Sequence, residues 1–408
     1  MTEAGLRRNI CLYGWFKIFT KRVFLPLTAI YLVEAGHVSL HGIAAIAIVA
    51  GLVALVVQIP TAYFADRHTR RMAMMIGSSI LVAGTGILVF MPSLVGGMLA
   101  GILTGIGFAF ISGSEQALMH DSLEQCGRGN EYVKVMGRAQ SRGLIGNIIL
   151  IGLVPMTYAI DKRLPFVLGM VAFLVLLTLS WLLVEPERQD KPEDVRHINA
   201  IVVAVRTFIN RNTILLFFAI ALVFGFYVAP VDYSNLILKD LGMAPQYIGW
   251  AFAASSLVGA VAGYAIHYLQ KFSFKTFMYL DIAVCCGFLV LVGLTRSLPI
   301  AVAAVILNFG FWRVRSILYQ HHLLEIFKGT RHKAMLVSLL SLGEQLFGMI
   351  LPALFVTFIV RWGYYSGYAL IGIGAGLCLA VLAALGFARL KPTIHGKAAG
   401  LASEHTPA

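Results

Sequence analysis

Charge is scarce in this 408-residue chain, and acidic charge scarcest. Asp and Glu together number 19 against 32 Lys and Arg, and charged residues make up only 12% of the whole. A soluble domain carries about a quarter charged residues, so a water-exposed globular surface is excluded. The five cysteines (Cys11, Cys126, Cys285, Cys286 and Cys378) form neither a CxxC pair nor a Cys/His spacing suited to a metal. They are read as reduced, structural thiols, with no disulfide framework and no metal site. There is no nucleotide-binding loop and no nucleophile–His–acid set. An enzyme is therefore not expected, nor is a cofactor or an ATP-driven step.

What the chain has instead is apolar length. Hydrophobic residues make up 59% of it. They gather into twelve stretches near 10–33, 40–63, 72–91, 95–118, 134–157, 164–184, 213–237, 247–269, 276–294, 298–320, 334–359 and 364–388. About 20 apolar residues cross the hydrocarbon core as a helix, and a helix satisfies its own backbone hydrogen bonds in lipid. The fold class expected is an all-α membrane protein with twelve transmembrane helices in two six-helix bundles. Arg7 and Arg8 precede a first stretch too long for a signal peptide, and no small-residue cleavage site follows, so it is expected to stay. The first bundle spans 1–184. A charged linker at 185–211 opens with EPERQDKPED, and its apolar positions Ile198, Ile201, Val202, Val205 and Phe208 suit an amphipathic surface helix. The second bundle spans 212–390, and 391–408 is expected to be a mobile tail.

The net charge of +13 would suit a nucleic-acid partner, but its distribution argues against one. With the N-terminus inside, 20 basic residues fall in cytoplasmic loops and tails and 5 (Lys162, Arg163, Lys239, Arg296 and Arg361) in the opposite loops. That asymmetry is the positive-inside rule. It places both termini in the cytoplasm of a multi-pass protein of the cell (inner) membrane, expected as a monomer.

Two faint echoes join the halves: Gly107-Phe108 with Gly310-Phe311, and Pro26 before Gly36 with Pro230 before Gly242. Between the second and third stretches the chain reads Asp66-Arg67-His68-Thr69-Arg70-Arg71. With twelve spans and a 6+6 break, this loop resembles the major facilitator superfamily, whose signature there is Gly-x-x-x-Asp-Arg-x-Gly-Arg-Arg. Ala62 and Thr69 stand where that signature has glycine. The resemblance covers nearly the whole chain in layout and this one motif in letters. It implies a cytoplasmic latch of Asp66, Arg67, Arg70, Arg71 and Asp121, in which Asp66 caps the helix starting near Lys333–Leu336 and Arg70 pairs with Asp121. The equivalent loop of the second half, Lys271–Lys275, has lost the acid, so the latch would be one-sided. The Arg and the Gly-Pro bend of drug–proton antiporters are missing: Gly101 stands at the Arg position, and Gly143–Pro155 reads GLIGNIILIGLVP. The third, sixth, ninth and twelfth spans hold no interior charge except Asp281, which matches the outer supports of the resembled fold.

Ionisable groups at bilayer depth face a partner or a cavity. Seven interior bases (Lys17, Lys21, Arg22, Arg138, Arg142, Arg313 and Arg315) outnumber four interior acids (Glu115, Asp232, Asp281 and Glu344). At ~1.5 Å of rise per residue, Lys21, Arg142, Asn308 and Glu344 fall near the midplane. Lys17 and Lys21 are one turn apart, and two ammonium groups on one face need an anion or a carboxylate between them. The expected substrate-binding set is Lys17, Lys21, Arg142, Asn308 and Arg313, for a small anionic or zwitterionic organic solute. Snorkelling and structural pairing are the alternative for the lysines. Glu344 is the expected proton-coupling residue, with Asp232 second; a structural ion pair is the alternative for Glu344. Glu115, Asp121 and Arg138 read as a structural cluster, and His321 and His322 as solvated. The function expected is secondary active transport by alternating access, coupled to protons. Efflux of a drug or amphipath is the rival within the class, and a non-transporting receptor or scaffold the rival outside it.

Overall fold

The computed structural model describes residues 3–187, 214–264, 266–269, 271–326 and 333–403. Most of the linker, with its expected surface helix, lies outside the described residues. All regular elements described are helical. They are α1 (Glu3–Phe19), α2 (Thr28–Glu34), α3 (Leu40–Arg67), α4 (Arg70–Phe90), α5 (Leu94–Gln125), α6 (Tyr132–Leu153), α7 (Leu164–Leu182), α8 (Ile214–Val228), α9 (Pro230–Asp240), α10 (Pro245–Tyr264), α11 (Ile266–Leu269), α12 (Phe274–Leu294), α13 (Leu298–Ile326) and α14 (Lys333–Ser403). Nine helical stretches among the described residues are long and apolar enough to cross a membrane, and Leu25–Glu34 is a shorter apolar one.

Local chemistry sets where the helices start. Ser39, Thr69, Ser93 and Ser273 occupy N-cap positions, and their hydroxyls accept from the backbone N–H groups of Gly42, Met72, Gly96 and Thr276 at 3.0–3.2 Å. Each satisfies a donor that the first turn leaves open. Inside α14, Gly363 departs from helical geometry with φ 80° and ψ 166°. A left-handed φ there suits glycine alone, and it breaks the long helix between the expected eleventh and twelfth spans. Helical backbone then continues through Ser403, past residue 390, where the second bundle was expected to end.

Two spans expected as continuous are broken. The first, 10–33, is α1, a non-helical stretch through Lys21 and Arg22, a 3-10 turn at Leu25–Leu27, and α2. The seventh, 213–237, breaks at Ala229 into α8 and α9. Pro26 and Pro230 supply the physical reason: proline has no N–H to donate and its ring crowds the carbonyl four residues back. Each break recruits a side chain. Asn235 Nδ2 donates to the Pro26 carbonyl at 3.0 Å, and the Tyr368 hydroxyl donates to the Pro230 carbonyl at 3.2 Å.

The chain gathers into two compact units. Unit 1 is Met1–Glu193 with Val231–Leu257, and unit 2 is Asp194–Pro230 with Val258–Ala408. In unit 1, α4 packs on α5 and α7, α3 on α5, and α1 on α6. In unit 2, α14 packs on α8 and α12, and α12 on α13.

Candidate functional site

Glycine brings α1 and α6 together in unit 1. A Cβ at Gly143 would lie 3.0 Å from the Lys17 carbonyl oxygen, and one at Gly14 would lie 3.0 Å from Arg142 Nη1 and 3.2 Å from its Cδ. Gly14 is thus the notch in which the Arg142 side chain lies. Lys17, one turn further along α1, forms an ion pair with Glu115 of α5 and stands 5.4 Å from the Tyr13 ring centre. Lys21, exposed at the break in the first span, lies in the field of the same carboxylate. Glu115 is therefore the acid that pairs with Lys17 and whose field also reaches Lys21. It does not join Asp121 and Arg138 in the expected cluster. Arg22, beside Lys21, has its guanidinium 5.7 Å from the Phe108 ring centre and lies within electrostatic reach of Asp232 on α9.

The motif between α3 and α4 builds a second cluster in unit 1. Arg70 forms an ion pair with Asp121. Glu185, just after α7, caps α4: its two carboxylate oxygens accept from the Arg70 and Arg71 backbone N–H groups at 2.8 and 2.7 Å. A carboxylate on the positive end of a helix satisfies two open donors and opposes the dipole. Arg71 Nη2 donates to the Trp181 carbonyl, and Arg67 reaches the Tyr63 hydroxyl at 3.4 Å. The Asp66 side chain, and those of Lys333–Leu336, lie outside the described residues. His120, Asp121 and Glu124 place possible ligand atoms within 4.8 Å of one another, but Asp121 is already taken by Arg70.

A third cluster ties the C-terminal end of α2 to α9. Glu34 accepts from Lys239, from Lys162 at 2.7 Å and from the Tyr158 hydroxyl at 3.0 Å. Burial favours the neutral acid, but these donors outweigh it and hold the Glu34 carboxyl below its ordinary value.

Unit 2 buries a charge pair completely. Asp281 and Arg315 side chains are both 0% exposed, with Arg315 Nε donating to Asp281 Oδ2 at 3.0 Å. The Tyr319 and Tyr227 hydroxyls donate to the two carboxylate oxygens at 2.7 and 2.9 Å. Phe224, Tyr227 and Tyr319 ring centres lie 4.9–5.6 Å from the guanidinium carbon. Arg315 Nη1 and Nη2 are buried with no hydrogen-bond partner among the described residues, as is Glu344 Oε1. Glu344 lies in the field of Arg315. Asn308 is 2% exposed, has no amide partner among the described residues, and lines an apolar cavity of about 420 Å³ with Val284, Phe288 and Phe311. The side chain of Arg313, expected in the binding set, lies outside the described residues. His321 is half-buried, and His322, expected with it to be solvated, is buried against the rings of Phe274 and Phe277.

A model of the Major Facilitator Superfamily matches residues 10–323. The chain belongs to that superfamily. Its fold is that of known facilitators. The nucleoside transporter NupG, in the structure of a point mutant, superposes with TM-score 0.80 at 13% identity, covering 94% of this chain and 99% of that one. A bacterial homologue of the human lysosomal transporter Spinster gives 0.67 at 16% identity, covering 95% and 96%. A POT family transporter in complex with 5-aminolevulinic acid gives 0.67 at 12%, covering 94% and 96%. No curated protein sequence matches the chain. This facilitator is a multi-pass membrane transporter rather than an enzyme.

Three functional-looking features of this facilitator escaped the sequence. Glu185 reads there only as the start of a charged linker. The Asp281–Arg315 pair was signalled by one fact, that Asp281 is the lone charge of its span and an intramembrane acid needs a partner; which base answered it was open. The Glu34 cluster joins residues 124 and 205 positions apart in the chain, and nothing local marks it.

Proposed function

We propose that this facilitator carries a small anionic or zwitterionic organic solute by alternating access, coupled to protons. One observation carries the reading: the first span is broken at Lys21 and Arg22, Lys17 pairs with Glu115 beside that break, and Arg142 of α6 lies in the notch at Gly14 of α1. Broken helices in transporters mark binding sites, because irregular backbone at membrane depth is tolerated where it lines a cavity. Fixed cations there raise the local concentration of carboxylate or phosphate. Asn308 and Arg313 complete the proposed binding set.

Glu344 is the proposed proton carrier, because its buried oxygen lacks a partner among the described residues and it sits in the field of Arg315. Asp232, within reach of Arg22, is the second candidate. The cluster of Asp66, Arg67, Arg70, Arg71 and Asp121 is the proposed cytoplasmic latch, with Glu185 as its added member. The architecture proposed is twelve crossings, six in each half, with the tail and both termini in the cytoplasm of the inner membrane, working as a monomer. Support comes from the two spans broken at equivalent prolines and from the basic bias of one set of loops.

Uptake into proteoliposomes tests the substrate reading. Candidate carboxylates and phosphates are presented with and without a pH gradient. Lys21→Gln and Arg313→Gln should abolish uptake of the carried anion without lowering the melting temperature. Glu344→Gln should leave exchange intact and remove its dependence on the gradient. Uptake that survives both basic substitutions rules out the site. Efflux of an amphipath is the second reading, favoured by the apolar cavity beside Asn308. A drug-susceptibility panel in a pump-deficient host separates the two.

A further inference from the structure

A cavity of about 280 Å³ opens in unit 1 between α1 and α6. Arg7, Cys11 and Gly14 face it from α1, Arg138 and Arg142 from α6, and Arg128 from the loop after α5. Arg138 and Arg142 are one helical turn apart, so both guanidinium groups leave α6 on one side. Arg128 is occupied by Glu131, through Nη2 at 2.7 Å and Nε at 3.2 Å. Among the described residues, Arg138 and Arg142 form no salt bridge with an acid, and Glu131 is the acid whose field reaches Arg138.

Four guanidinium side chains are thus brought around one small concavity. The positive-inside rule accounts for Arg7 and Arg128, which lie in the tail and a loop, but not for the two arginines within α6. It does not account for their convergence on one cavity, nor for the glycine at position 14 that makes room for Arg142. Guanidinium is the planar, multi-donor cation that matches carboxylate and phosphate oxygens in pairs. The volume lies just under the ~300 Å³ at which pockets for drug-sized molecules begin.

We propose that this cavity, walled by Arg7, Arg138 and Arg142 with Arg128 at its edge, binds a small multivalent oxyanion of the phosphate type. Arg142 links it to the proposed substrate face, so the site rests in part on the anion reading and extends it to a second station outside the Lys17–Glu115 pair. The same phosphate chemistry is offered by a soluble anion and by a phospholipid headgroup.

Cys11 provides the reporter. It is exposed and lines the cavity, whereas Cys285 and Cys286 are buried. In the full chain carrying Cys126→Ser and Cys378→Ser, reconstituted in phosphatidylcholine, an anionic methanethiosulfonate should label Cys11 about tenfold faster than a cationic one. Inorganic pyrophosphate should slow that labelling, and sodium chloride at matched ionic strength should not. Arg138→Gln with Arg142→Gln should erase both effects. Arg7→Gln, near the chain terminus, should weaken them if the double variant fails to fold.

Protection by pyrophosphate in phosphatidylcholine supports a soluble ligand. Protection seen only in phosphatidylglycerol vesicles supports a headgroup. Equal rates for the two reagents with no protection in either membrane overturn the site. Because labelling needs no flux, the outcomes separate cleanly. Loss of uptake in Lys21→Gln with Cys11 protection intact leaves this site standing, and normal anion uptake with no protection removes this site alone.

Discussion

Asp281 shows how costly a buried charge becomes when its partner is removed. Its carboxylate takes three donors (Arg315 Nε, Tyr227 and Tyr319) in a region with no exposure to solvent. Arg315→Leu would leave that carboxylate with two neutral hydroxyls, a loss of about 3–5 kcal/mol for a broken buried pair. Asp281→Leu in the same chain removes the orphaned charge, so the double variant should regain much of the loss. A double-mutant cycle on thermal unfolding in detergent reads this directly, and additive losses would show the two side chains to be energetically independent. Glu34 gives the complementary case at the membrane edge. Its folded-state pKa lies below the ordinary 4.5, so the cluster with Lys162 and Lys239 stabilises the fold above that pH. The contribution is lost as the pH falls through 4.5 and then through the depressed value. The difference in melting temperature between the natural chain and Glu34→Gln should therefore be full at neutral pH and shrink on acidification below 4.5. A difference that grows in acid would reverse the sign of the effect.

Two glycines on the same helix pair separate packing from function. At Gly14 an added methyl meets the far end of a flexible side chain, Arg142 Nη1 and Cδ; at Gly143 it meets the Lys17 backbone oxygen at 3.0 Å. Gly14→Ala should cost little stability, within roughly 0.5 kcal/mol, while turning Arg142 out of its notch and weakening anion uptake. Gly143→Ala must push α1 and α6 apart and should cost about 1–3 kcal/mol of overpacking. Melting temperature and uptake measured on both variants make the comparison; equal melting losses would remove the distinction. Much at this scale was legible in the chain. The apolar runs mark α3 to α7 closely, whereas the capping roles of Ser39, Thr69, Ser93 and Ser273 emerge only with the helix starts themselves. Pro26 and Pro230 were visible as an echo between the halves, but their consequence, a broken helix at each, was not: apolar periodicity runs straight through both breaks. Lys17 was legible as an intramembrane cation needing an acid, but the choice of Glu115 over Arg138's company depends on how α1 lies against α5. That is a tertiary fact, with no trace at short range.

At the scale of the whole molecule, the count of crossings decides the sidedness of everything else. Nine long apolar stretches stand among the described residues. The stretch Leu340–Arg389 contains the non-helical Gly363, the first span is split at Lys21–Arg22, and α10 adds 20 apolar-rich residues from Pro245 to Tyr264. Dividing the first of these at its glycine and adding the other two gives the twelve crossings proposed. On the proposed even count both ends of the chain lie on one face, and the basic bias of the loops is the argument for proposing that this face is the cytoplasm. Epitope tags at the two termini should then both resist protease added outside right-side-out vesicles. A cysteine introduced at Lys162, on the far side of α6 from Cys126, should react with an impermeant maleimide from outside, while Cys126 should react only after the vesicles are opened. Cleavage of one terminal tag and not the other would make the count odd. In that case Gly363, or the break at Lys21 and Arg22, would turn the chain back without completing a crossing. The cationic residues assigned to a cytoplasm-facing region would then have to be reassigned to the opposite side.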